Sequence, residues 1–370
     1  MRVLMVSKAC VVGTYQRKLE ELAALPGIEL TLVVPPEWRE RSRVLRYEPM
    51  FRRGYQTVVL PMALNGHYHL HFYRGLAAVV REVRPDLIHL DEEPADAVAL
   101  QCVALAGRAR MVFFTWQNLL RPLPPPFSLI QRYTFARSSL ALCGNAAAVR
   151  VLRSKGYRGL VRLVPQFGFD EELFRFQPKG YQTARPLLIG AAGRLVPEKG
   201  FDVLLAAVAE QPDRWRVEIA GDGPEGPALR RQAARLGTGE QVKFLGQRSS
   251  VDMPDLYARW DVVVAPSRTR SNWKEQFGRT VAEAMSCGTP VVVSRSGELP
   301  NVVDGSGLVF EEGSAADLRA CLERLAESTD LRRSLALAGR QRVLKQYTQR
   351  AIAQHTRAAY CDALQTSPCR

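Results

Sequence analysis

Residues 267–290 read SRTRSNWKEQFGRTVAEAMSCGTP, and this stretch decides the fold. Glu275 lies in a polar loop, Phe277–Gly278 opens a predicted helix, and Glu283 lies inside that helix, eight residues after Glu275. The Cys-Gly-Thr-Pro sequence at 287–290 then ends the helix before an apolar strand. Free N–H groups at a helix start attract anions, and carboxylates accept hydrogen bonds from hydroxyls. The stretch therefore suits a ligand that carries both phosphate and hydroxyl groups.

The same stretch resembles the Glu-x7-Glu motif of the retaining glycosyltransferases of family 4, which have the GT-B fold. Phe277–Gly278, Glu283–Met285 and Cys287–Pro290 all fall in register with that motif. A surface helix with solvated glutamates is the alternative, but glycine and adjacent acids at a helix entrance are poor choices for packing alone. The resemblance is strongest from about residue 190 to residue 308 and weaker in the first half of the chain.

The composition is that of a folded and strongly basic chain. Its 370 residues are 46% hydrophobic and 24% charged, which is enough apolar content for two domains and unlike a disordered chain. The net charge of +14 predicts an anionic partner, such as a nucleotide sugar, an anionic lipid, an acidic polysaccharide or nucleic acid. Seven dispersed cysteines favour a reducing compartment, and no apolar run reaches the ~18 residues of a membrane span. We therefore expect a cytoplasmic protein.

Short β-branched runs alternate with segments of helical period, including a predicted helix at Phe72–Val83. This alternation predicts βαβ units and parallel sheets, and loop-forming residues at Phe174–Pro186 predict a domain boundary. With the resemblance, it indicates an α/β protein of GT-B architecture, with two Rossmann-like domains facing a deep interdomain cleft. We expect an acceptor-side domain at 1–175, a nucleotide-sugar donor domain at 176–345, and a C-terminal helix at 346–370 that crosses back to the first domain.

The segment Gly193–Gly200 follows a predicted strand and resembles the family's G-R-x-x-x-x-K-G sequence. The resemblance implies that Arg194 and Lys199 bind the donor diphosphate. Cations at this place would stabilise the negative charge that the leaving diphosphate develops. A solvated basic turn is the alternative. Arg194, Lys199 and Glu275 are therefore the predicted catalytic residues.

The remaining donor-binding residues also follow from the resemblance. Glu283 would hold the ribose hydroxyls, Glu275 the hydroxyls of the donor sugar, and the backbone amides of Phe277, Gly278 and Arg279 the phosphate. Gly221 opens a G-x-G-x-x-G spacing at 221–226, which alone is a weak dinucleotide-binding signal. The segment resembles the family's G-x-G-P turn near the nucleotide, and a purely structural turn is the equal alternative. Arg248 follows a strand end beside the predicted base site, where an exposed arginine is the alternative.

The candidate residues for the acceptor side lie in the first half of the chain. Gly13 and Thr14 belong to the first strand-to-helix loop, which has fewer glycines than the family usually has there. Glu92 and Glu93 follow a predicted strand end, where they could orient an acceptor hydroxyl or simply stabilise a helix start. Trp116, Gln117 and Asn118 follow another strand, at the place where the family commonly has a histidine. Gln117 can hydrogen-bond a sugar but cannot titrate, and Trp116 could instead pack in the core.

Two further patterns suggest ligands without deciding them. His67, His69 and His71 would share one face of a strand, but no cysteine or nearby carboxylate in sequence completes a zinc site, so we predict no metal. Residues 38–55 interleave six arginines with aromatic side chains, which suits an anionic membrane surface, a phosphate-bearing acceptor, nucleic acid or a solvated loop. This basic stretch comprises Arg39, Arg41, Arg43, Arg46, Arg52 and Arg53 with Trp38, Tyr47, Phe51 and Tyr55.

The resemblance implies a retaining, metal-independent glycosyltransferase. It would move a sugar from a UDP- or GDP-type donor to a hydroxyl of a glycan, a lipid-linked acceptor or a small molecule, as in cell envelope or polysaccharide biosynthesis. We expect no tightly bound cofactor and no nucleic acid partner, with peripheral membrane association as an open alternative. A GT-B epimerase or phosphorylase, and a non-catalytic polyanion- or nucleic-acid-binding protein, are the competing functions. The donor base, the acceptor and the oligomeric state stay open.

Overall fold

The computed structural model describes residues 1–40, 43–181 and 186–365, which form two compact units. Unit 1 comprises Met1–Gly168 together with the chain from Gln349 onward, and unit 2 comprises Phe169–Thr348. Each unit has a parallel sheet with its own hydrophobic core. None of the helices among the described residues has the length and apolar character needed to cross a membrane.

Unit 1 contains a seven-stranded sheet in which all neighbouring strands run parallel. Its central strands are buried on both faces, as runs such as Val3–Val6 predict. The strands are β1 Arg2–Val6, β2 Glu29–Val34, β3 Glu37–Arg39, β4 Val44–Arg46, β5 Gln56–Val59, β6 Met62–Ala63, β7 Phe72–Tyr73, β8 Leu87–Leu90, β9 Arg110–Thr115, β10 Ser138–Cys143 and β11 Leu160–Leu163. The helices are α1 Arg17–Ala23, α2 Leu76–Val83, α3 Ala97–Leu105, α4 Phe127–Arg137 and α5 Ala146–Ser154.

The strand order of this sheet is β11-β10-β9-β8-β1-β2-β5, while β3 pairs with β4 and β6 with β7 in small antiparallel ribbons. The order reverses direction between β1 and β8, and parallel sheets bind ligands at the carboxyl ends of strands beside such a switch point. The loops that follow β1 and β8 are therefore the expected ligand-binding edge of unit 1.

Unit 2 contains a six-stranded parallel sheet in the order β14-β13-β12-β15-β16-β17. Its switch point lies between β12 and β15. The strands are β12 Leu187–Ala192, β13 Trp215–Ala220, β14 Val242–Gly246, β15 Val262–Ala265, β16 Val291–Ser294 and β17 Leu308–Phe310. The helices are α6 Phe201–Ala209, α7 Gly226–Arg235, α8 Met253–Arg259, α9 Arg279–Ser286, α10 Leu299–Val303, α11 Ala315–Glu327 and α12 Thr329–Gln346.

The last helix, α13 Gln349–Gln365, belongs to unit 1 and packs against α1. The hydroxyl of Tyr360 on this helix lies 2.7 Å from Nδ1 of His89 in β8, and both side chains are buried. Residues 366–370 of the predicted C-terminal segment lie outside the described residues. The helix begins three residues later than the start predicted at 346.

The boundary predicted between residues 175 and 176 is wrong, because the units divide between Gly168 and Phe169. Phe169 and Phe174 are buried in the core of unit 2, and the Phe169 N–H donates to the carbonyl of Tyr347 at 3.1 Å. The first part of the polar segment at 174–186 therefore belongs to unit 2. Residues 182–185 of that segment lie outside the described residues.

The helix predicted at Phe72–Val83 is also partly wrong. Phe72–Tyr73 forms the short strand β7, and the helix begins only at Leu76, after Gly75 with φ of 87°. Glycine adopts this left-handed conformation without the steric penalty of a side chain, so Gly75 separates the strand from the helix. The apolar pattern of the two elements is continuous, which is why the sequence predicts one helix.

Candidate functional site

Lys199 and Glu275 form an ion pair at the switch point of the unit 2 sheet. Lys199 ends a short turn after β12, and Glu275 lies in the loop after β15. The Lys199 ammonium lies 2.6 Å from Oε2 of Glu275, and the hydroxyl of Ser267 donates to the same oxygen at 2.9 Å. The ring of Trp273 lies 5.3 Å from the Lys199 ammonium. The structure thus brings together two residues that the sequence placed in one site from separate motifs.

The loop that carries Glu275 is held by close backbone packing. The Glu298 N–H donates to the carbonyl of Glu275 at 3.1 Å. A Cβ at Gly297 would lie 2.1 Å from that carbonyl oxygen, and one at Gly278 would lie 2.4 Å from Cδ2 of Leu299. These approaches fix the loop against α10, so Glu275 has a defined position at the edge of the sheet.

Glu283 is buried on α9 and accepts two hydrogen bonds. Nε of Arg279 donates to Oε1 at 2.7 Å, and the hydroxyl of Tyr257 donates to Oε2 at 2.9 Å. Burial raises the pKa of Glu283, while Arg279 and Tyr257 oppose this shift. Burial also raises the pKa of Tyr257, which keeps its hydroxyl protonated as a donor. The sequence did not identify Tyr257, because a tyrosine in an amphipathic helix has no distinguishing spacing.

Glu283 and Tyr257 border a cavity of about 380 Å³. Its lining includes four predicted donor-binding residues, Arg194, Gly221, Arg248 and Glu283. Tyr257 and Thr280 also line it and were not predicted. The other five predicted donor-binding residues are not among its lining residues: Lys199, Glu275, Phe277, Gly278 and Arg279. Phe277 instead packs edge-on against Tyr347, with ring centroids 5.1 Å apart.

Gly221 has a structural requirement of its own. Its φ is 147°, and a Cβ there would lie 1.9 Å from the carbonyl oxygen of Gly193. A Cβ at Gly223 would lie 2.4 Å from the carbonyl oxygen of Leu195. The G-x-G-P turn therefore packs directly on the G-R-x-x-x-x-K-G segment and also contributes to the wall of the cavity.

A second polar cluster lies at the switch point of the unit 1 sheet and is centred on Glu92. The Lys8 ammonium lies 2.5 Å from its Oε2, Nε2 of His71 lies 2.6 Å from the same atom, and the Lys8 backbone N–H donates to Oε1 at 3.0 Å. Burial alone would raise the pKa of Glu92, but the charges of Lys8 and His71 outweigh it and lower the pKa to about 2. Asp96 adds a second carboxylate 3.9 Å from the Lys8 ammonium.

The Glu93 carboxylate has partners different from those of Glu92, and its pKa is shifted in the opposite direction. Its carboxylate accepts from Oγ1 of Thr115 at 2.7 Å and from the Trp116 N–H at 2.8 Å. Burial raises the pKa of Glu93 to about 7, although both hydrogen bonds oppose it. The two adjacent carboxyl groups therefore differ in charge near neutral pH, and Glu93 fixes the start of the loop after β9.

The three cleft residues predicted after β9 are half-buried: Trp116, Gln117 and Asn118. The ring of Trp116 covers Gly144, where a Cβ would lie 2.2 Å from Cε3, and its Nε1 donates to Gln166 at 2.8 Å. Oε1 of Gln117 accepts from the Lys155 ammonium at 2.8 Å. Trp116 is thus a packed side chain, and Gln117 is held by Lys155.

Gly13 and Thr14 lie in a short turn beyond β1. Gly13 is buried, and a Cβ there would lie 2.4 Å from Cγ of Met50, whereas Thr14 is exposed. The glycine at this position therefore accommodates Met50. The sequence did not identify Lys8 and Asp96, or Lys18 on α1, whose ammonium donates to the carbonyl of Gln166 at 2.9 Å. Single charged residues carry no spacing signal.

The prediction that three histidines share one strand face is wrong. Residues 67–71 form turns and not a strand, and the histidines do not share one face. His71 is buried, whereas His69 is half-exposed, with its Nδ1 2.7 Å from Oδ1 of Asp96. Ligand atoms of His71, Glu92 and Asp96 lie within 4.8 Å of one another, which is a geometry that could hold a cation. The Lys8 ammonium already supplies a positive charge to both carboxylates of this group.

The basic stretch at 38–55 is only partly available to a ligand. Trp38 is buried and packs edge-on against His71, so it cannot contact a membrane. Arg39 pairs with Glu37, and Arg43 pairs with Glu40, while Arg41 lies outside the described residues. Val44 and Met50 are exposed large apolar residues of this segment.

Comparison with known proteins places the chain in a family. Residues 175–342 match the family model described as Glycosyl transferases group 1. Over 324 residues the chain is 34% identical to the GDP-mannose-dependent monoacylated alpha-(1-6)-phosphatidylinositol monomannoside mannosyltransferase of Corynebacterium glutamicum, covering 82% of this chain and 81% of that one. The chain belongs to the glycosyl transferases group 1 family.

Other relatives match a shorter segment. The D-inositol 3-phosphate glycosyltransferase of Corynebacterium jeikeium is 39% identical over 160 residues, or 40% of this chain and 37% of that protein. The corresponding enzyme of Saccharomonospora viridis is 33% identical over 192 residues, or 46% of this chain and 43% of that protein. The matched segment thus spans less than half the length of these relatives.

Solved structures show the fold of the group 1 chain. The Anabaena protein HepE in complex with UDP has a TM-score of 0.70 at 21% identity, covering 98% of this chain and 100% of that one. A glycosyltransferase of Rickettsia africae has a TM-score of 0.72 at 14% identity, covering 99% of each chain. The predicted α/β class with two Rossmann-like parallel-sheet domains is confirmed.

Proposed function

We propose that the protein is a retaining glycosyltransferase that uses a nucleoside diphosphate sugar. The Lys199–Glu275 ion pair, which joins two separate motifs beside a cavity lined by Arg194 and Glu283, carries this proposal. The cavity of about 380 Å³ falls in the size range of small-molecule sites and lies at the carboxyl ends of β12, β13 and β14, where parallel sheets bind ligands. Membership in the group 1 family supports the same conclusion.

In the proposed mechanism, cations of unit 2 stabilise the leaving group. Departure of the sugar leaves negative charge on the terminal phosphate of the diphosphate, and Arg194 and Lys199 provide positive charge there. The N–H groups of Phe277, Gly278 and Arg279, at the start of α9, add partial positive charge. These protein groups can perform the stabilising role without a bound metal ion, and we propose a metal-independent reaction with no tightly bound cofactor.

The carboxylates of unit 2 bind the hydroxyls of the donor. Glu283 has a lone pair on each oxygen besides those used by Arg279 and Tyr257, so it can accept from the ribose hydroxyls. Glu275 is held by Lys199 and Ser267 and can accept from hydroxyls of the donor sugar near the reacting carbon. Resemblance to family 4 supports front-face transfer with retention, in which the leaving phosphate helps to deprotonate the acceptor.

We assign the acceptor to the switch-point edge of unit 1. Glu92, Glu93, Gln117 and Asn118 follow the carboxyl ends of β8 and β9, and Thr14 is exposed beyond β1. Glu92 is a charged hydrogen-bond acceptor near neutral pH, whereas Glu93 changes charge there and can exchange a proton. We propose that these groups orient an acceptor hydroxyl.

The relatives suggest the class of both substrates. The C. glutamicum relative is named for GDP-mannose and an acylated phosphatidylinositol mannoside, and the Anabaena structure contains UDP. We therefore propose a UDP- or GDP-linked hexose as donor and a glycan, lipid-linked or small phosphorylated molecule as acceptor. A role in cell envelope biosynthesis, at a cytoplasmic location peripheral to an anionic membrane, fits these substrates and the net charge of +14.

Donor hydrolysis and transfer by the purified protein test the proposal. UDP- and GDP-sugars are supplied with and without EDTA, and the anomeric configuration of the product is read by NMR. Lys199→Ala and Glu275→Ala should each lose most activity, whereas Arg295→Ala, which breaks an exposed ion pair with Glu311 elsewhere in unit 2, should not. Full activity of both site variants would sink the assignment.

Thermal denaturation with nucleoside diphosphates separates this proposal from a polyanion-binding protein. A ligand that binds only the folded state raises the melting temperature, so UDP or GDP should stabilise a glycosyltransferase. A polyanion-binding protein would ignore both nucleotides, and its affinity for nucleic acid would fall steeply with salt.

A further inference from the structure

A second cavity of about 420 Å³ lies in unit 1, between the end of α4 and the loop that follows α5. Its charged lining residues are Arg132, Lys155 and Arg158, and the remaining lining residues are uncharged. It is separate from the nucleotide cavity, which is formed by residues of unit 2. None of its lining residues is among those assigned above to the donor or the acceptor.

The charge of this cavity is positive, because no carboxylate is among its lining residues. Arg132 and Arg158 are exposed, and within the described part of the chain neither forms an ion pair. A nearby arginine, Arg153, has a different role, because its guanidinium donates at 2.9 Å to the carbonyls of both Tyr157 and Gly159. Three cations around one cavity repel each other, and a bound anion would relieve that repulsion.

The wall of the cavity is rigid. Tyr157 is buried and packs edge-on against Phe113 at 5.4 Å and Phe135 at 5.3 Å between ring centroids. The hydrogen bonds from Arg153 fix the loop that carries Arg158. The cavity is therefore formed by an ordered aromatic core and a braced loop, which reduces the cost of ordering a binding site.

Lys155 connects the cavity to the loop after β9. Its ammonium donates to Oε1 of Gln117 at 2.8 Å, and it uses one of its three donors in this contact. Burial lowers the pKa of Lys155, and Glu93 opposes that shift. An anion in the cavity would stabilise the ammonium form and could accept from its remaining donors.

We propose that this cavity binds a phosphate group, carried either by a small soluble phosphate ester or by a lipid headgroup. Arginine presents paired N–H donors that match phosphate oxygens, and lysine adds a point charge. The volume exceeds that of a single small ion and accommodates a phosphate with a short polyol. Lys155 would then be shared between the phosphate and Gln117. The proposal does not depend on the transfer reaction.

Calorimetric titration with sn-glycerol 3-phosphate tests the soluble source of the phosphate. The cavity pair Arg132→Gln/Arg158→Gln is compared with Arg137→Gln/Arg150→Gln, which removes the same charge from exposed arginines of α4 and α5 outside the cavity. Vesicles of phosphatidylcholine with and without phosphatidic acid test the lipid source. Phosphate binding in unit 2 contributes equally to all variants, so the difference between the two pairs isolates this cavity.

We expect the wild type and the outside pair to bind with similar affinity, and the cavity pair to bind roughly tenfold or more weakly. The two single cavity variants should give intermediate affinities and provide the comparison if the double variant is unstable. Binding in the vesicle arm alone, lost in the cavity variants, would identify a lipid headgroup. Equal affinity in the two pairs, or no binding by the wild type in either arm, overturns the proposal.

Discussion

The Lys199 ammonium lies 2.6 Å from the Glu275 carboxylate, so the predicted phosphate-binding cation and the predicted sugar-binding acid neutralise each other in this structure. Both side chains are more than two-thirds buried, where an ion pair is screened less than at the surface. A donor diphosphate would compete with Glu275 for the same ammonium. The pair thus links binding of the phosphate to the position of the carboxylate.

This competition predicts different effects of neutralising each partner. Lys199→Met should weaken UDP or GDP binding by about tenfold or more and reduce transfer by roughly 10²–10³-fold. Glu275→Gln removes the competing charge, so nucleotide affinity should stay or rise while transfer falls. Calorimetry and kcat/KM measure the two effects, with Arg295→Gln as the surface control. Equal loss of nucleotide affinity in both site variants would contradict the competition.

Glu93→Gln should make the protein less sensitive to pH. Burial raises the folded-state pKa of Glu93 to about 7, so its contribution to stability is present below the unfolded value of ~4.5 and is lost as pH rises through 7. The shift corresponds to at most ~3 kcal/mol. The amide oxygen of glutamine can still accept from the Trp116 N–H, and its NH2 group can donate to the Thr115 hydroxyl, which can rotate to accept. Urea unfolding should therefore show a variant more stable than the wild type near pH 8, and an unchanged pH profile would refute this.

Glu92→Gln should lower the free energy of unfolding at neutral pH, in contrast to Glu93→Gln. The pKa of Glu92 is lowered to about 2, so its stabilising contribution is present above ~4.5 and is lost as pH falls through 2. Removing this charge leaves the largely buried Lys8 with only the more distant Asp96, which should cost about 3–5 kcal/mol at neutral pH. The double variant Lys8→Met/Glu92→Gln should recover part of that loss in urea unfolding. Additive losses would show that the pair does not interact.

Gly221→Ala should destabilise unit 2 through a backbone clash. Its Cβ would lie 1.9 Å from the Gly193 carbonyl oxygen, and its φ of 147° is unfavourable for alanine. Gly237→Ala is a matched control, because Gly237 also has a positive φ but has nothing within 4 Å of its Cβ. We expect a loss of roughly 1 kcal/mol for the control and a clearly larger loss for Gly221→Ala. Equal melting temperatures of the two variants would contradict the prediction, because they would show that the contact with the Gly193 carbonyl does not destabilise Gly221→Ala.

Several features were predictable because they depend on local sequence. Buried runs of β-branched residues gave the parallel strands, and the helix carrying Glu283 follows from its apolar period and the glycine before it. The motifs around Arg194 and Glu275 pointed to one donor site because both follow strand ends. The break at Gly75 and the boundary at Phe169 could not be predicted, because they depend on φ and on packing with distant residues.

The sequence by itself determined the alternation of strands and helices, the positions of the candidate donor residues and the strong positive charge. Local periodicity and residue chemistry are sufficient for those features. Only the tertiary structure decided which charges meet: Glu275 with Lys199, Glu283 with Tyr257, and Glu92 with Lys8 and His71. Each of these partners is more than 20 residues from the other along the chain. Parallel sheet topology brings Lys199 close to Glu275 and Lys8 close to Glu92 at the carboxyl ends of strands, whereas Glu283 and Tyr257 meet between α9 and α8. Burial raises the pKa of Glu93, whereas the charges of Lys8 and His71 outweigh burial and lower the pKa of Glu92, its neighbour in sequence.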